Sequence, residues 1–197
     1  MDENGSIYTW GANNQRELGV GETVSGSDYP PQHVYNALTG EWKASQVPDF
    51  STPRRIVHYE MSAAAGLAID ELGDVYTWGF NTHGQLGIGS ILNQSYPIKV
   101  YNSQTGLFIG GASLPAGTKI TSIGGHRDHI FFLAENGELF AAGENGNYQI
   151  GDGTSTNRST AVCISSGING SAFPLSLLEF PTFSSKKKQS RRSSKNP

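Results

Sequence analysis

Leu72–Ser90, LGDVYTWGFNTHGQLGIGS, decides how the rest of the chain is read. The stretch occurs three times: Asn4–Glu22 is NGSIYTWGANNQRELGVGE, and Asn136–Thr154 is NGELFAAGENGNYQIGDGT. Gly5 lies 68 residues before Gly73, and Gly137 lies 64 residues after it. Self-similarity at a near-fixed period is the mark of a modular array. Each copy opens on a glycine turn and continues as a short strand: Ile7-Tyr8-Thr9-Trp10, Val75-Tyr76-Thr77-Trp78 or Leu139-Phe140-Ala141-Ala142. A glycine then breaks the strand (Gly11, Gly79, Gly143). A polar loop follows and ends in Leu/Ile-Gly-x-Gly, with Gly19, Gly87 and Gly151 at its first glycine.

Working outward, the strand that a hairpin needs stands before two of these turns, at Leu67–Ile69 and Ile130–Leu133. A second echo follows the copies. HVYNALTGEW, residues 33–42, parallels KVYNSQTGLF, residues 99–108. Each reads as a strand, a Thr-Gly turn and a second short strand, a hairpin set into the repeat. Ile120–Ile123 and His129–Leu133 form a strand pair around Gly124-Gly125, whereas Met61–Gly66 reads as a degraded version of that turn. Residues 43–55 and 109–118 read as exposed loop. About four short strands per module predict an all-β chain: a partial β-propeller of about three blades over residues 1–183.

The Tyr-Thr-Trp-Gly strand ends, the Gln85-Leu86-Gly87 turn, and Gly124-Gly125 with His129 resemble the RCC1 (regulator of chromosome condensation) repeat. The middle copy matches best; the third has Ala142 in place of tryptophan, and the first has Glu17 in place of glutamine. The resemblance implies that Trp10 and Trp78 pack between blades and that His129 hydrogen-bonds backbone inside its blade. It also implies a seven-bladed ring, so the chain is expected to be a segment of a longer propeller. Open blade edges would otherwise invite self-association.

Composition bounds the function. The chain has 197 residues, 25 of them glycine, and a net charge of −3. Six cations, Lys186 to Lys195, sit in residues 184–197, which carry no acid and read as a disordered basic tail. Without them 8 cations face 17 acids. An acidic body repels phosphate backbones, so nucleic-acid contact is expected only through the tail. No apolar run suits a membrane span, and the polar start reads as no secretory signal, so a cytoplasmic or nuclear location is expected. The lone Cys163 has no partner for an internal disulfide and reads as a structural thiol.

No chemistry-bearing constellation stands out. His126-Arg127-Asp128-His129 alternates across a strand and lacks a second ligand cluster, so no metal is expected. Gly84–Gly89 is spaced G-x-x-G-x-G with no helix pattern after it, so no nucleotide cofactor is expected. Asp70, Glu71 and Asp74 read as solvated turn carboxylates. The aromatics of the two inserted hairpins, Tyr35, Trp42, Tyr101 and Phe108, read as candidate partner-binding residues on surface excursions. The expected function is a non-catalytic scaffold for protein–protein interaction. The alternative that the resemblance implies is guanine nucleotide exchange on a small GTPase.

Overall fold

The computed structural model describes residues 1–21, 29–42 and 53–165. The basic tail and the apolar stretch 173–183 lie outside the described residues. Among the described residues twelve strands fall into three antiparallel sheets, an all-β architecture as expected. The first sheet has order β1-β2-β3, with β1 Ile7–Gly11, β2 Tyr29–Asn36 and β3 Glu41–Trp42. The second has order β4-β5-β6-β7-β8: Ile56–Ser62, Ala65–Asp70, Val75–Gly79, Gln94–Asn102 and Leu107–Phe108. The third joins β9 Ile120–His126, β10 His129–Ala134, β11 Leu139–Gly143 and β12 Arg158–Cys163 in sequence order.

The repeat is one unit of pairing. β5 meets β6 from Ala65↔Gly79 to Ile69↔Val75, and β10 meets β11 in the same register, from His129↔Gly143 to Leu133↔Leu139. The inserted hairpins continue the sheets as β2–β3 and β7–β8, with Tyr35 opposite Trp42 and Tyr101 opposite Phe108. The strand-breaking glycine has a steric cause. Gly79 has φ +96°, and a Cβ there would fall on the carbonyl oxygen of Ala64. The ladder to the next strand slips at the same place in every copy, at Gly11, Gly79 and Gly143. A bulge at a repeated position re-aims the chain into the polar loop.

β5 and β6 are buried along their whole length, because the middle sheet is covered on both faces. β10 alternates between half-buried and buried residues, the period-2 signature of a sheet with one covered face. The core accordingly divides into two seams. One joins the first and second sheets through Ile7, Leu18, Val34, Tyr35, Trp42, Tyr76 and Trp78. The other joins the second and third through Leu67, Ile69, Val100, Phe108, Ile123, Ile130, Phe132 and Phe140.

Two local expectations are corrected. The turn over Met61–Gly66 is not degraded: β4 and β5 pair through Ser62↔Ala65, closing a tight turn without the Gly-His pattern. Residues 109–118 are not all exposed, because Leu114 is buried in the second seam and its amide bonds to the Gly106 carbonyl at 2.8 Å. Among the described residues no helix is long and apolar enough to cross a membrane.

Candidate interaction surfaces

The polar loop after each copy is held by a buried asparagine. The Oδ1 atoms of Asn13, Asn81 and Asn145 accept the amides of Leu18, Leu86 and Ile150 at 3.1, 2.9 and 2.9 Å. In the first two copies the strand threonine adds a bond, from Thr9 Oγ1 to the Leu18 carbonyl and from Thr77 Oγ1 to the Leu86 carbonyl. These bonds satisfy backbone groups that a buried turn would otherwise strand. In the sequence the three asparagines look like any other residue of a polar loop. Their common offset from the strand glycine, Gly11 to Asn13, Gly79 to Asn81 and Gly143 to Asn145, was the available signal.

Asn81 also shapes a surface. Its Nδ2 donates to the carbonyls of Ser90 at 2.8 Å and Leu92 at 3.1 Å, and its amide donates to Asn93 Oδ1 at 2.9 Å. Asn93 in turn accepts Arg16 through its carbonyl at 2.6 Å and donates to Gln15 at 3.0 Å. Backbone so anchored leaves Ile91 and Leu92 outside, 61% and 69% exposed. They rim a cavity of about 500 Å³ whose other walls include Asn13, Asn14, Arg16 and Thr82. This loop joins the first and second modules and carries an apolar pair over a polar floor.

The hairpin aromatics are elsewhere. Tyr35, Trp42, Tyr101 and Phe108 are each 5% exposed or less, which corrects the expectation that they are displayed on surface excursions. The Tyr35 hydroxyl donates to the Arg54 carbonyl at 2.5 Å, and the Tyr101 hydroxyl to the Thr118 carbonyl at 2.7 Å. Each thus ties a hairpin to the chain leading into the next sheet. Trp42 packs on Tyr76 with ring centroids 4.9 Å apart, and Phe108 on Phe140 at 4.7 Å. Aromatic rings at the hairpin tips gain more by filling the seam than by facing water.

The repeat tryptophans divide. Trp78 packs between sheets as expected: it is fully buried, and its indole N–H donates to the Glu17 carbonyl at 3.0 Å. Gly19 of the preceding loop lies so close that a Cβ there would stand 2.5 Å from the indole nitrogen. Trp10 is 66% exposed, which corrects its assignment to a seam. No described sheet lies on its side of the first blade to receive it. Gly87 serves the second seam, where a Cβ would meet Val100 and Ala142. His129 does not bond backbone through its ring among the described residues. Its imidazole stands edge-on to Phe131 at 5.5 Å, and burial, with the His126 charge, lowers its pKa.

A buried ionic cluster replaces the expected solvated turn. Asp70 and Asp74 are each 1% exposed. Arg54 donates to both carboxylates at 3.0 Å, Lys99 reaches Asp74 at 2.6 Å, and Ser103 bonds Asp74 through amide and hydroxyl, each at 2.7 Å. Burial and the neighbouring Asp74 charge push the Asp70 pKa up, against the opposing pull of Arg54. Burial acts on Asp74 in the same sense, but Lys99 and Ser103 outweigh it and hold that carboxyl below its ordinary value. Every member bonds within the protein, and the cluster ties the Asp70–Asp74 turn to Arg54 before β4 and to Lys99 and Ser103 at the end of β7. No group of three or more metal-ligating side chains occurs among the described residues.

Comparison with known proteins accounts for this arrangement. The profile of the regulator of chromosome condensation (RCC1) repeat matches residues 4–48 and 73–133. The mitochondrial RCC1 domain-containing protein RUG3 of Arabidopsis thaliana is 27% identical over 77% of the chain, which spans 28% of that protein. The human X-linked retinitis pigmentosa GTPase regulator is 30% identical over 50% of the chain and 8% of its own length. The human E3 ubiquitin-protein ligase HERC2 is 26% identical over 77% of the chain and 3% of its own length. Among solved structures, Saccharomyces cerevisiae Prp20p superposes with a TM-score of 0.62 at 18% identity, covering 83% of this chain and 35% of that one. Human WBSCR16 superposes with a TM-score of 0.58 at 20% identity, covering 82% and 35%. The chain thus spans about a third or less of each of these relatives. With the repeat profile matching more than half of its residues and the sheets superposing on RCC1 propellers, the chain belongs to the RCC1 repeat family.

Proposed function

We propose that the chain is a non-catalytic scaffold for protein–protein interaction, part of a larger RCC1 propeller, which engages its partner through the face carrying Ile91 and Leu92. The observation that carries this reading is the bracing of that loop. An isoleucine and a leucine stand in water while buried Asn81 holds the backbone on either side of them. Apolar side chains fixed outward on a rigid scaffold contribute to binding without a large ordering cost. The adjoining Arg16, Asn14 and Thr82 supply the polar rim that such contacts use.

The test is a cross-linking pull-down of the native chain against an Ile91→Asp/Leu92→Asp variant. Loss of the captured partners at unchanged melting temperature supports the reading, and unchanged capture refutes it. A second reading, nucleotide exchange on a small GTPase, draws on the name of the GTPase regulator above and on Prp20p, whose structure was reported with its binding to Gsp1p and histones. Accelerated release of a fluorescent guanine nucleotide from a panel of small GTPases would replace the scaffold reading with that one.

A further inference from the structure

Asn13, Asn81 and Asn145 are each followed, three residues on, by a residue with left-handed backbone: Arg16 at φ +68°, Gly84 at +81° and Tyr148 at +64°. Glycine adopts that backbone freely, whereas a residue with a side chain is strained in it. At the second seam the loops close over Gly84, where a Cβ would stand 2.5 Å from the Ser159 Cα. Ser95 holds the place of Ser159 at the first seam: the Gly21 amide donates to the Ser95 carbonyl at 2.6 Å, as that of Gly89 donates to Ser159 at 2.7 Å. There Arg16 stands in place of the glycine, and the cavity of about 500 Å³ rimmed by Ile91 and Leu92 opens between the two loops. Both loops lie wholly within the described residues.

The chain uses little of Arg16. Its Nη1 donates to the Asn93 carbonyl at 2.6 Å, and its remaining N–H groups make no hydrogen bond or ion pair among the described residues. The adjacent acid is engaged elsewhere. Glu17 Oε2 accepts the Gln15 amide at 2.6 Å, the bond that Gln85 makes to the His83 amide at 3.0 Å. Among the described residues no other charged side chain lines the cavity. Glycine would serve the fold at this place, as Gly84 does. We propose that Arg16 receives a carboxylate of the partner, an Asp or Glu set beside an apolar residue that packs on Ile91 and Leu92. This rests on the scaffold reading and names the chemistry that its partner carries. A guanidinium anchored by one bond still offers a planar fork that matches a carboxylate through two parallel bonds. One cation with no second beside it balances a single negative charge, and the acid excess of residues 1–183 repels a polyanion.

The probe is a display library of random peptides, depleted on an Ile91→Asp/Leu92→Asp chain and then selected on the native chain. The enriched peptides are expected to carry Asp or Glu close to Leu, Ile or Phe. Fluorescence anisotropy then compares an enriched peptide with the version in which its acid is the amide. The amide is expected to bind the native chain about tenfold more weakly, and to bind an Arg16→Gly chain as well as the acid does. Arg16→Gly keeps the backbone that the place requires, so it should fold as the native chain does, which the melting temperature checks. If Arg16 only braces the loop through Asn93, Arg16→Gly weakens acid and amide peptides by the same factor, and the proposal fails. Enrichment of peptides without an acid also overturns it, and leaves the scaffold reading in place. A selection that returns no peptide dependent on Ile91 and Leu92 removes both.

Discussion

Trp78 and Trp10 occupy the same place in the repeat, and the structure assigns them opposite energetic weights. Trp78→Ala removes a fully buried indole and leaves the Glu17 carbonyl without its donor. The site has little room to collapse, since Gly19 and Gly66 already touch the ring with backbone and have no side chain to fill the void. Truncation of a buried tryptophan costs about 3–5 kcal/mol, with the lost hydrogen bond included. At roughly 2–4 °C per kcal/mol for a chain of this size, the melting temperature should fall by roughly 6–20 °C. Trp10→Ala removes a ring that is 66% exposed and should change stability by no more than about 0.5 kcal/mol. Trp78→Phe separates the two contributions, keeping a ring and losing only part of its volume and the indole bond, at about 1–2 kcal/mol. Urea unfolding would be followed by far-ultraviolet circular dichroism and by tryptophan emission. Two probes are needed because stacked modules can unfold piecemeal. Equal losses at the two positions would refute the reasoning, as would a loss below about 1 kcal/mol at Trp78.

Three further outcomes follow from the same geometry. Phe108→Ala should lower the urea midpoint by the equivalent of about 3–5 kcal/mol; a stability unchanged from the native chain would return the ring to the surface. Asn81→Ala should cost about 2–3 kcal/mol, because the Leu86 amide and two carbonyls lose a buried partner, and it should speed amide exchange between residues 86 and 93. Asp74→Asn should cost about 3 kcal/mol at pH 7 by leaving Lys99 and Arg54 short of a buried counter-charge. The folded pKa of Asp74 lies below its ordinary 3.8. On acidification the unfolded chain therefore takes up this proton first. The stabilisation is complete above about pH 5 and is lost as pH falls through the folded value. Urea midpoints at pH 7, 5 and 3.5 should show the gap between native chain and variant narrowing only at the acid end; a constant gap would contradict the assignment.

The strands were legible because they repeat. Ile7–Trp10, Val75–Trp78 and Leu139–Ala142 share a turn before them and a glycine after them, and local pattern is enough to place such elements. The pairing of hairpin tips with the sheets was legible from the second echo at residues 33–42 and 99–108. What escaped the sequence depends on which side of a sheet has a neighbour. Tyr35 and Phe108 look like displayed aromatics until a second blade covers them. Trp10 and Trp78 are identical in the motif and differ in what covers the indole: Gly19 of the preceding loop, Gly66 of the neighbouring strand and the rings of Trp42 and Tyr59 lie against Trp78. Asp70 and Asp74 look like ordinary turn acids, and the residues that bury and neutralise them, Arg54, Lys99 and Ser103, come from sequence positions 16 to 29 away. Long-range partners of this kind leave no periodic trace.

The loss of tryptophan from the third copy looks like decay of the motif and is a redistribution of volume. In the middle sheet Gly66 faces Trp78 across the ladder, and in the third sheet Ile130 faces Ala142 in the same register. A Gly–Trp pair has become an Ile–Ala pair. Two residues further along β10, Phe132 stands where β5 has Ala68, and it packs near Phe108 with ring centroids 5.4 Å apart. The bulk that the indole supplies from one strand in the first seam comes from the neighbouring strand in the second. Packing density constrains the sum of volumes across a cross-strand pair more tightly than either member. The unit conserved between copies is therefore the pair. A Trp-Gly strand end at a seam implies a glycine on the strand beside it.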